Sequence, residues 1–347
     1  MKKTSSLWAR PMFTALALAT ALASAPVLAR EGVDVGNQSG FSRLVSAEQV
    51  EQAAVQQYDQ LKAEAAKKNA LGTDNDPQVV RLRAIAKRLI PYTLEWNKRA
   101  SSWRWEVNLL KTKELNAFCM PGGKIAFYSG ILEQLQLNDD EVAMIMGHEM
   151  AHALREHARA RMGKSAATRI GASLLSSVLG LGNTGDALLN MGSQLLTLKF
   201  SREDESEADL IGMELAARSG YDPRAGVTLW QKMAAASKGA PPQFMSTHPS
   251  SGTRIQDIEA NLPKVLPLYQ RSAKPPQRFD APRKTGQADG RDALTYWGVA
   301  SAPQAVVAQG TVAQEPAAQS TPSATPAAPA KDAGGWVRVT PGHNHSY

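Results

Sequence analysis

His148 and His152 stand four residues apart with Glu149 directly after the first of them, in the order His148-Glu149-Met150-Ala151-His152. On an α-helix that spacing is one turn, so both imidazoles fall on one face and can reach a single metal ion. Glu149 projects beside them, placed to take a proton from a water on that metal. Two imidazoles and a carboxylate suit zinc, and a catalytic zinc keeps a fourth position for solvent. The bound water then ionises with a pKa of about 7, which makes hydroxide available at neutral pH. The third ligand is expected from another element. Residues 201–209 (SREDESEAD) offer several carboxylates. Glu205 and Asp209 are one turn apart on one face. That spacing permits a division of labour in which Glu205 binds the metal and Asp209 hydrogen-bonds a ligand histidine, fixing its tautomer. Without the histidine pair, the same acidic run would read as a solvated helix face.

The remaining candidates are fewer. His248, in Ser246-Thr247-His248-Pro249, can approach the metal as an extra ligand, stabilise an oxyanion or cap a helix, and its surroundings do not choose between these. His157 is nine residues from His148, about half a turn out of phase on a continuous helix, which predicts a surface residue facing away. Cys119 reads as a buried, inert thiol rather than a regulatory zinc-binding one. His343 and His345 lie near the end of the chain, where they would bind stray metal weakly.

Several elements must position these groups. Asn138 with Glu141 three residues on reads as a capping box, and Asp139 and Asp140 crowd the same first turn. Arg155, Arg159 and Arg161 stand near the other end, which suits the helix dipole. The metal helix is therefore expected to start at Asn138. A second helix runs from about Ser201 to Ser219 and stops at Gly220. Ser46 with Gln49, Asp76-Pro77 and Asp222-Pro223 announce three more helix starts, and a short helix is expected over Ser251–Leu262. Pro91 ends the helix that Asp76 opens. Between helices the period changes. Trp103, Trp105, Val107 and Leu109 alternate with polar residues, as a half-buried strand would. Asn116–Met120 extends a second strand, Pro121-Gly122-Gly123 turns, and Lys124–Tyr128 is a third. These predict a small antiparallel sheet between helices, hence an α+β, mainly helical domain. Ile170–Gly182 is apolar and rich in Gly, Ser and Leu, too short to span a membrane, and reads as a buried hairpin or a flap.

Composition bounds the rest. The chain has 347 residues, 43% of them hydrophobic and 20% charged. That is ample for a core, and it excludes a wholly disordered chain and a collagen-like fibre. One cysteine excludes an internal disulfide. Removing Lys2, Lys3 and Arg10 from the net charge of +7 leaves +4, too weak a bias to imply a nucleic-acid partner. Those three cations precede and flank the apolar run Met12–Leu22, and Val27-Leu28-Ala29 offers a cleavage site. Residues 1–29 thus read as a signal peptide cut after Ala29, with Ala25 as an alternative, and place the chain in the periplasm with no integral span afterwards. Residues 30–45 read as a loose leader, 46–265 as the domain that carries the metal motif and 266–347 as a Pro/Ala-rich, largely disordered tail. Within that tail Trp336, Val337 and Val339 are either a docking strand or a stray apolar patch.

With these residues assembled, the chain resembles metallopeptidase family forty-eight, which includes the CAAX prenyl protease and the HtpX, Oma, BepA and LoiP types. The resemblance covers about residues 45–262. It rests on Asn116-Ala117-Phe118 with Pro121-Gly122-Gly123 and Gly130-Ile131-Leu132, on His148–His152, on Ser201-Arg202 with Glu205 and Ala208-Asp209, and on Thr247-His248-Pro249 with Arg254-Ile255. It implies a gluzincin fold, one zinc ion held by His148, His152 and Glu205, Glu149 as general base and Asp209 behind the ligands. It also implies that His248 stands near the metal and hinders water in a resting state, and that Lys124–Tyr128 accepts an extended substrate by strand addition. The expected activity is a zinc metalloendopeptidase of protein quality control, acting on unfolded or misfolded envelope proteins. The alternative is a chaperone or assembly factor, linked to outer-membrane assembly machinery, with a latent metal site. No spanning helix surrounds the metal motif, and a Pro/Ala-rich tail stands where BepA-like proteins carry helical repeats.

Overall fold

Capping side chains start the helices where the sequence places them. Ser46 accepts the Gln49 N–H at 3.3 Å and opens α1 (Ala47–Lys67), and Asp76 accepts the Gln78 N–H at 2.9 Å ahead of α2 (Pro77–Leu89). The strands β1 (Glu106–Leu110), β2 (Ala117–Met120) and β3 (Lys124–Tyr128) follow, then a short α3 (Ser129–Gln134). At α4 (Asp139–Leu154), Asn138 and Glu141 exchange side chain–backbone hydrogen bonds of 2.9 Å each. Beyond it lie α5 (His157–Arg169) and α6 (Thr184–Thr197). Ser201 and Asp204 form a second capping box at α7 (Arg202–Arg218), followed by α8 (Ala225–Ala236), the single turn α9 (Gln243–Thr247) and α10 (Arg254–Arg271). These are the elements of a computed structural model that describes residues 30–169, 184–237, 242–249 and 252–282. Two units divide the chain, Met1–Ala300 and Ser301–Tyr347, and every described residue belongs to the first. The expected signal peptide, the apolar Ile170–Gly182 stretch and the Pro/Ala-rich segment from Ala302 lie outside the described residues.

The mainly helical α+β architecture stands, with one correction to the sheet. Its order is β1-β3-β2, with β2 antiparallel to β3 but β1 parallel to it, so the sheet is mixed. All five residues of β3 are buried, and it takes the centre, where both of its edges are paired. The expectation that Lys124–Tyr128 is a free edge for substrate is therefore wrong. The far edge of β1 is covered too, by a bridge between Leu71 and Leu110. Among the described residues β2 presents the open edge. At its turn Gly122 and Gly123 have φ of 81° and 75°, a left-handed pair that closes the β2–β3 hairpin.

The core lies between this sheet and the helices. Leu82, Ile85, Leu89, Ile125, Phe127, Ile131, Met146, Ile211 and Leu215 belong to one cluster. Tyr58, Leu61, Leu110, Met120 and Tyr128 form a second between α1 and the sheet. Three boundaries move. Residues 30–45 are not loose, because Val33 is buried and its N–H donates to Glu214 Oε2 at 2.8 Å, while Arg30 pairs with Glu214 at 2.6 Å. A fully buried carboxylate needs such partners. At the other end α10 runs through Pro263 and Pro267 to Arg271, nine residues past the expected stop. Burial of Ile258, Val265 and Leu268 along its apolar face outweighs the two backbone donors that proline removes. Packing continues beyond 265, since the Phe279 N–H donates to Asp139 at 2.8 Å. No helix of the described residues is long and apolar enough to cross a membrane.

Candidate metal centre

α4 is buried on every side, packed between α7 behind it and β2 in front, so its polar residues face protein. Its approach to α7 is set by two glycines. A methyl group at Gly147 would lie 2.8 Å from the Gly212 carbonyl oxygen, and one at Gly212 would lie 2.6 Å from the His148 nitrogen. The two backbones touch there. The contact brings Glu205 and Asp209, about two turns and one turn before Gly212, against His148 and His152.

Both histidines turn Nε2 inward. The two Nε2 atoms are 3.1 Å apart. Glu205 Oε1 lies 3.4 Å from His152 Nε2, and its Oε2 lies 3.6 Å from His148 Nε2. Donors about 2.0–2.1 Å from a tetrahedral ion stand roughly 3.3 Å from one another. The measured spacings match that edge length, and Glu205 Oε2 is buried with no aligned hydrogen-bond donor, its neighbour on the outer side being the ion-paired Arg254 at 3.0 Å. The chemistry of the donor set therefore fits a divalent ion of the zinc type. His248 joins the group: one ligand atom from each of His148, His152, Glu205 and His248 lies within 4.8 Å of the others. Its Nδ1 is 3.3 Å from His148 Nε2 and 3.0 Å from Glu205 Oε1, and its Nε2 is 3.5 Å from Glu149 Oε1. His248 thus stands between Glu149 and the other three donors, at the corner a solvent molecule would need. Phe244 stacks on its ring at 4.4 Å and fixes that orientation.

Electrostatics follow from burial and pairing. Burial pushes the Glu149 carboxyl up, against the opposing pull of His248 and His148. Burial would also raise Glu205, but the neighbouring His152 and His248 rings outweigh it and hold Glu205 far below the usual carboxylate range. Burial drives His152 well below the usual imidazole range. His248 moves the other way: burial lowers it, yet the charges of Glu149 and Glu205 prevail and raise it. Asp209 is held low by Arg254 despite its burial.

The outer contacts decide how the rings are held. Asp209 Oδ1 is 2.9 Å from His148 Nδ1, as the spacing of Glu205 and Asp209 suggested. Arg254 donates to both Asp209 oxygens and lies 3.0 Å from Glu205 Oε2, with its guanidinium stacked 3.4 Å above Trp230. The sequence reading quoted Arg254 in a motif but gave it no task. His157 is the larger miss. It is buried rather than on the surface, with Nδ1 2.9 Å from His152 Nδ1. The phase argument failed because the helix breaks between them: Glu156 takes φ 57°, and α5 starts afresh at His157. Cys119 is a buried thiol, as expected, and burial raises it well above its ordinary range.

In front of the donors runs a cleft lined by Asn116–Pro121 along the β2 edge, by Glu149, His152 and His248, and by Leu195, Leu196, Leu198 and Phe200 opposite. In an antiparallel pair every second residue turns its N–H and C=O away from its partner strand. The Cys119 N–H points to the Glu149 carboxylate in this way.

A helix-borne His-Glu-x-x-His pair meeting an acidic residue from a second helix defines a metallopeptidase of the gluzincin class. The comparisons agree. The sequence model of Peptidase family M48 matches residues 78–262, just over half of the chain, and the chain belongs to that family. It is 35% identical over 192 residues to the mitochondrial metalloendopeptidase OMA1 of Schizosaccharomyces pombe, covering 54% of each chain. It is 31% identical over 153 residues to the metalloprotease LoiP of Escherichia coli, covering 43% of this chain and 60% of that one. It is also 30% identical over 177 residues to the beta-barrel assembly-enhancing protease of the same organism, covering 48% of this chain and 36% of that one. The chain therefore spans less than two thirds of each of these relatives.

Proposed function

We propose that the chain is a zinc metalloendopeptidase of the periplasm that cuts unfolded or misfolded envelope proteins. The single observation that carries this reading is the inward pair of Nε2 atoms, 3.1 Å apart, with Glu205 oxygens 3.4 and 3.6 Å away. His148, His152 and Glu205 would hold the ion. When bound, zinc supplies a Lewis acid that polarises the scissile carbonyl and acidifies water. Glu149 takes the water's proton and passes it to the leaving amine. Asp209 keeps the His148 proton on Nδ1, so that Nε2 offers its lone pair. The open edge of β2 pairs with an extended stretch of substrate, which favours unfolded chains over folded ones. The periplasmic assignment is supported by the charged and apolar pattern of residues 1–29.

A second reading has an observation of its own. His248 Nδ1 sits in the donor set, so a chain held in this arrangement has a latent site and would act as a chaperone or assembly factor for outer-membrane proteins. One experiment separates the two. Purified full-length protein loaded with one zinc per chain is incubated with casein and with an unfolded outer-membrane protein, with and without a chelator. The peptidase reading expects chelator-sensitive fragments. Zinc binding with stable association and no fragments would overturn it in favour of the second.

A further inference from the structure

His148 and His152 both aim Nε2 at the donor set, and each must have something on its outer nitrogen. For His148 this is a carboxylate, Asp209. For His152 it is another imidazole, His157, at 2.9 Å between Nδ1 atoms. His157 Nε2 in turn lies 3.2 Å from Glu207 Oε2, and that same oxygen accepts the Arg155 Nε–H at 2.8 Å. Arg155 is anchored in addition to the Gly36 carbonyl at 3.1 Å. Both His157 and Arg155 are buried.

Hydrogen-bond chemistry fixes the direction of this chain of contacts. Two N–H groups cannot face each other, so one of the paired Nδ1 atoms donates and the other accepts. If His157 donated, the His152 proton would sit on Nε2, pointing at the donor set, and no lone pair would remain there. If His157 accepts, the His152 proton sits on Nδ1 and Nε2 is free. An accepting Nδ1 puts the His157 proton on Nε2, where Glu207 takes the hydrogen bond. Glu207, held by Arg155, selects the productive direction.

We infer that His157 is a positioning residue that sets the tautomer of His152, with Glu207 and Arg155 setting His157 behind it. The inference rests on the zinc-site reading above. The carboxylate–histidine support seen at one ligand is thus extended at the other by an extra ring, reaching Glu207 at the rim of the fold, where the side chain is 26% exposed.

The test measures zinc affinity of the full-length protein by competition with a chromogenic chelator, alongside thermal unfolding of the metal-free forms. His157→Leu removes the acceptor and is expected to weaken zinc binding about 10- to 100-fold. His157→Asn places an amide oxygen near the Nδ1 position and is expected to restore affinity to within about threefold of the parent. Glu207→Ala, where the side chain is 26% exposed, is expected to fall between them, with the thermal unfolding of its metal-free form reporting what it costs to leave Arg155 unpaired. The inference is overturned if His157→Leu and Glu207→Ala bind zinc as tightly as the parent, or if His157→Asn is as weak as His157→Leu. Should His157→Leu not fold, Glu207→Ala decides alone. A parent that binds no zinc would overturn the site reading itself, which is a different result from equal binding by all four proteins.

Discussion

The back and the front of the metal centre are built differently. Behind the donors, α4 and α7 meet backbone to backbone at Gly147 and Gly212, and every donor they carry is buried and tied outward, to Asp209, Arg254 or His157. In front, the wall is assembled from the edge of β2, the end of α6 and the 242–249 segment, which meet across a cleft. His248 comes from that front wall yet reaches into the donor set. The difference separates two tasks. The back wall pre-sets ligand geometry, so little reorganisation is needed on metal binding. The front wall governs access, because His248, directly after the single turn α9, reaches the fourth corner.

The back wall is broken most completely through its own donor. Glu205→Ala should lower zinc affinity more than about 100-fold, beyond what loss of an outer contact costs, and abolish cleavage. Zinc content after dialysis checks it. Next comes the glycine contact. Gly212→Ala places a methyl 2.6 Å from backbone, where no side chain can yield, and should destabilise by about 1–3 kcal/mol or more. A urea titration of the metal-free protein measures this, and an unchanged midpoint would show that α4 and α7 are not in backbone contact. The front wall should respond with the opposite sign. His248→Ala clears the fourth corner and is expected to raise cleavage of an unfolded substrate by about tenfold, the change that roughly 1.4 kcal/mol of closure would impose. A fall in rate instead would make His248 part of the reaction. The smallest effect is on loading. The charges of Glu149 and Glu205 raise His248, so in the metal-free chain it keeps its proton to higher pH than an exposed histidine. A metal that needs that corner must displace the proton. Zinc affinity should therefore drop as pH falls from 8 to 6, by up to about tenfold per unit for one displaced proton, and His248→Ala should flatten the slope.

The same division explains what the sequence made legible. His148, His152, Glu205 and Asp209 could be paired in advance because each pair sits one turn apart on a well-capped helix, and helical phase is a local property. His157 could not, because its phase restarts at Glu156, where a non-glycine residue takes a left-handed conformation that nothing in the side-chain types demands. Arg254 lies on a distant helix and meets Asp209 only through tertiary packing. The three strands were visible, the first from its alternation and the other two from the turn between them, but their order was not. Which strand lies at the edge depends on whether the chain steps past its neighbour, and β3, the one strand of the three buried at every residue, took the centre. The docked leader followed from Glu214, a carboxylate whose full burial on α7 no local pattern announces.

The central claim is that these side chains hold one metal and that Glu149, which binds no metal itself, moves the proton. The most direct test is Glu149→Gln, assayed for zinc stoichiometry and for digestion of unfolded casein beside the parent. The account predicts one zinc per chain in both proteins and a rate at least about 100-fold lower in the variant. Digestion by the variant at the parent's rate would contradict it.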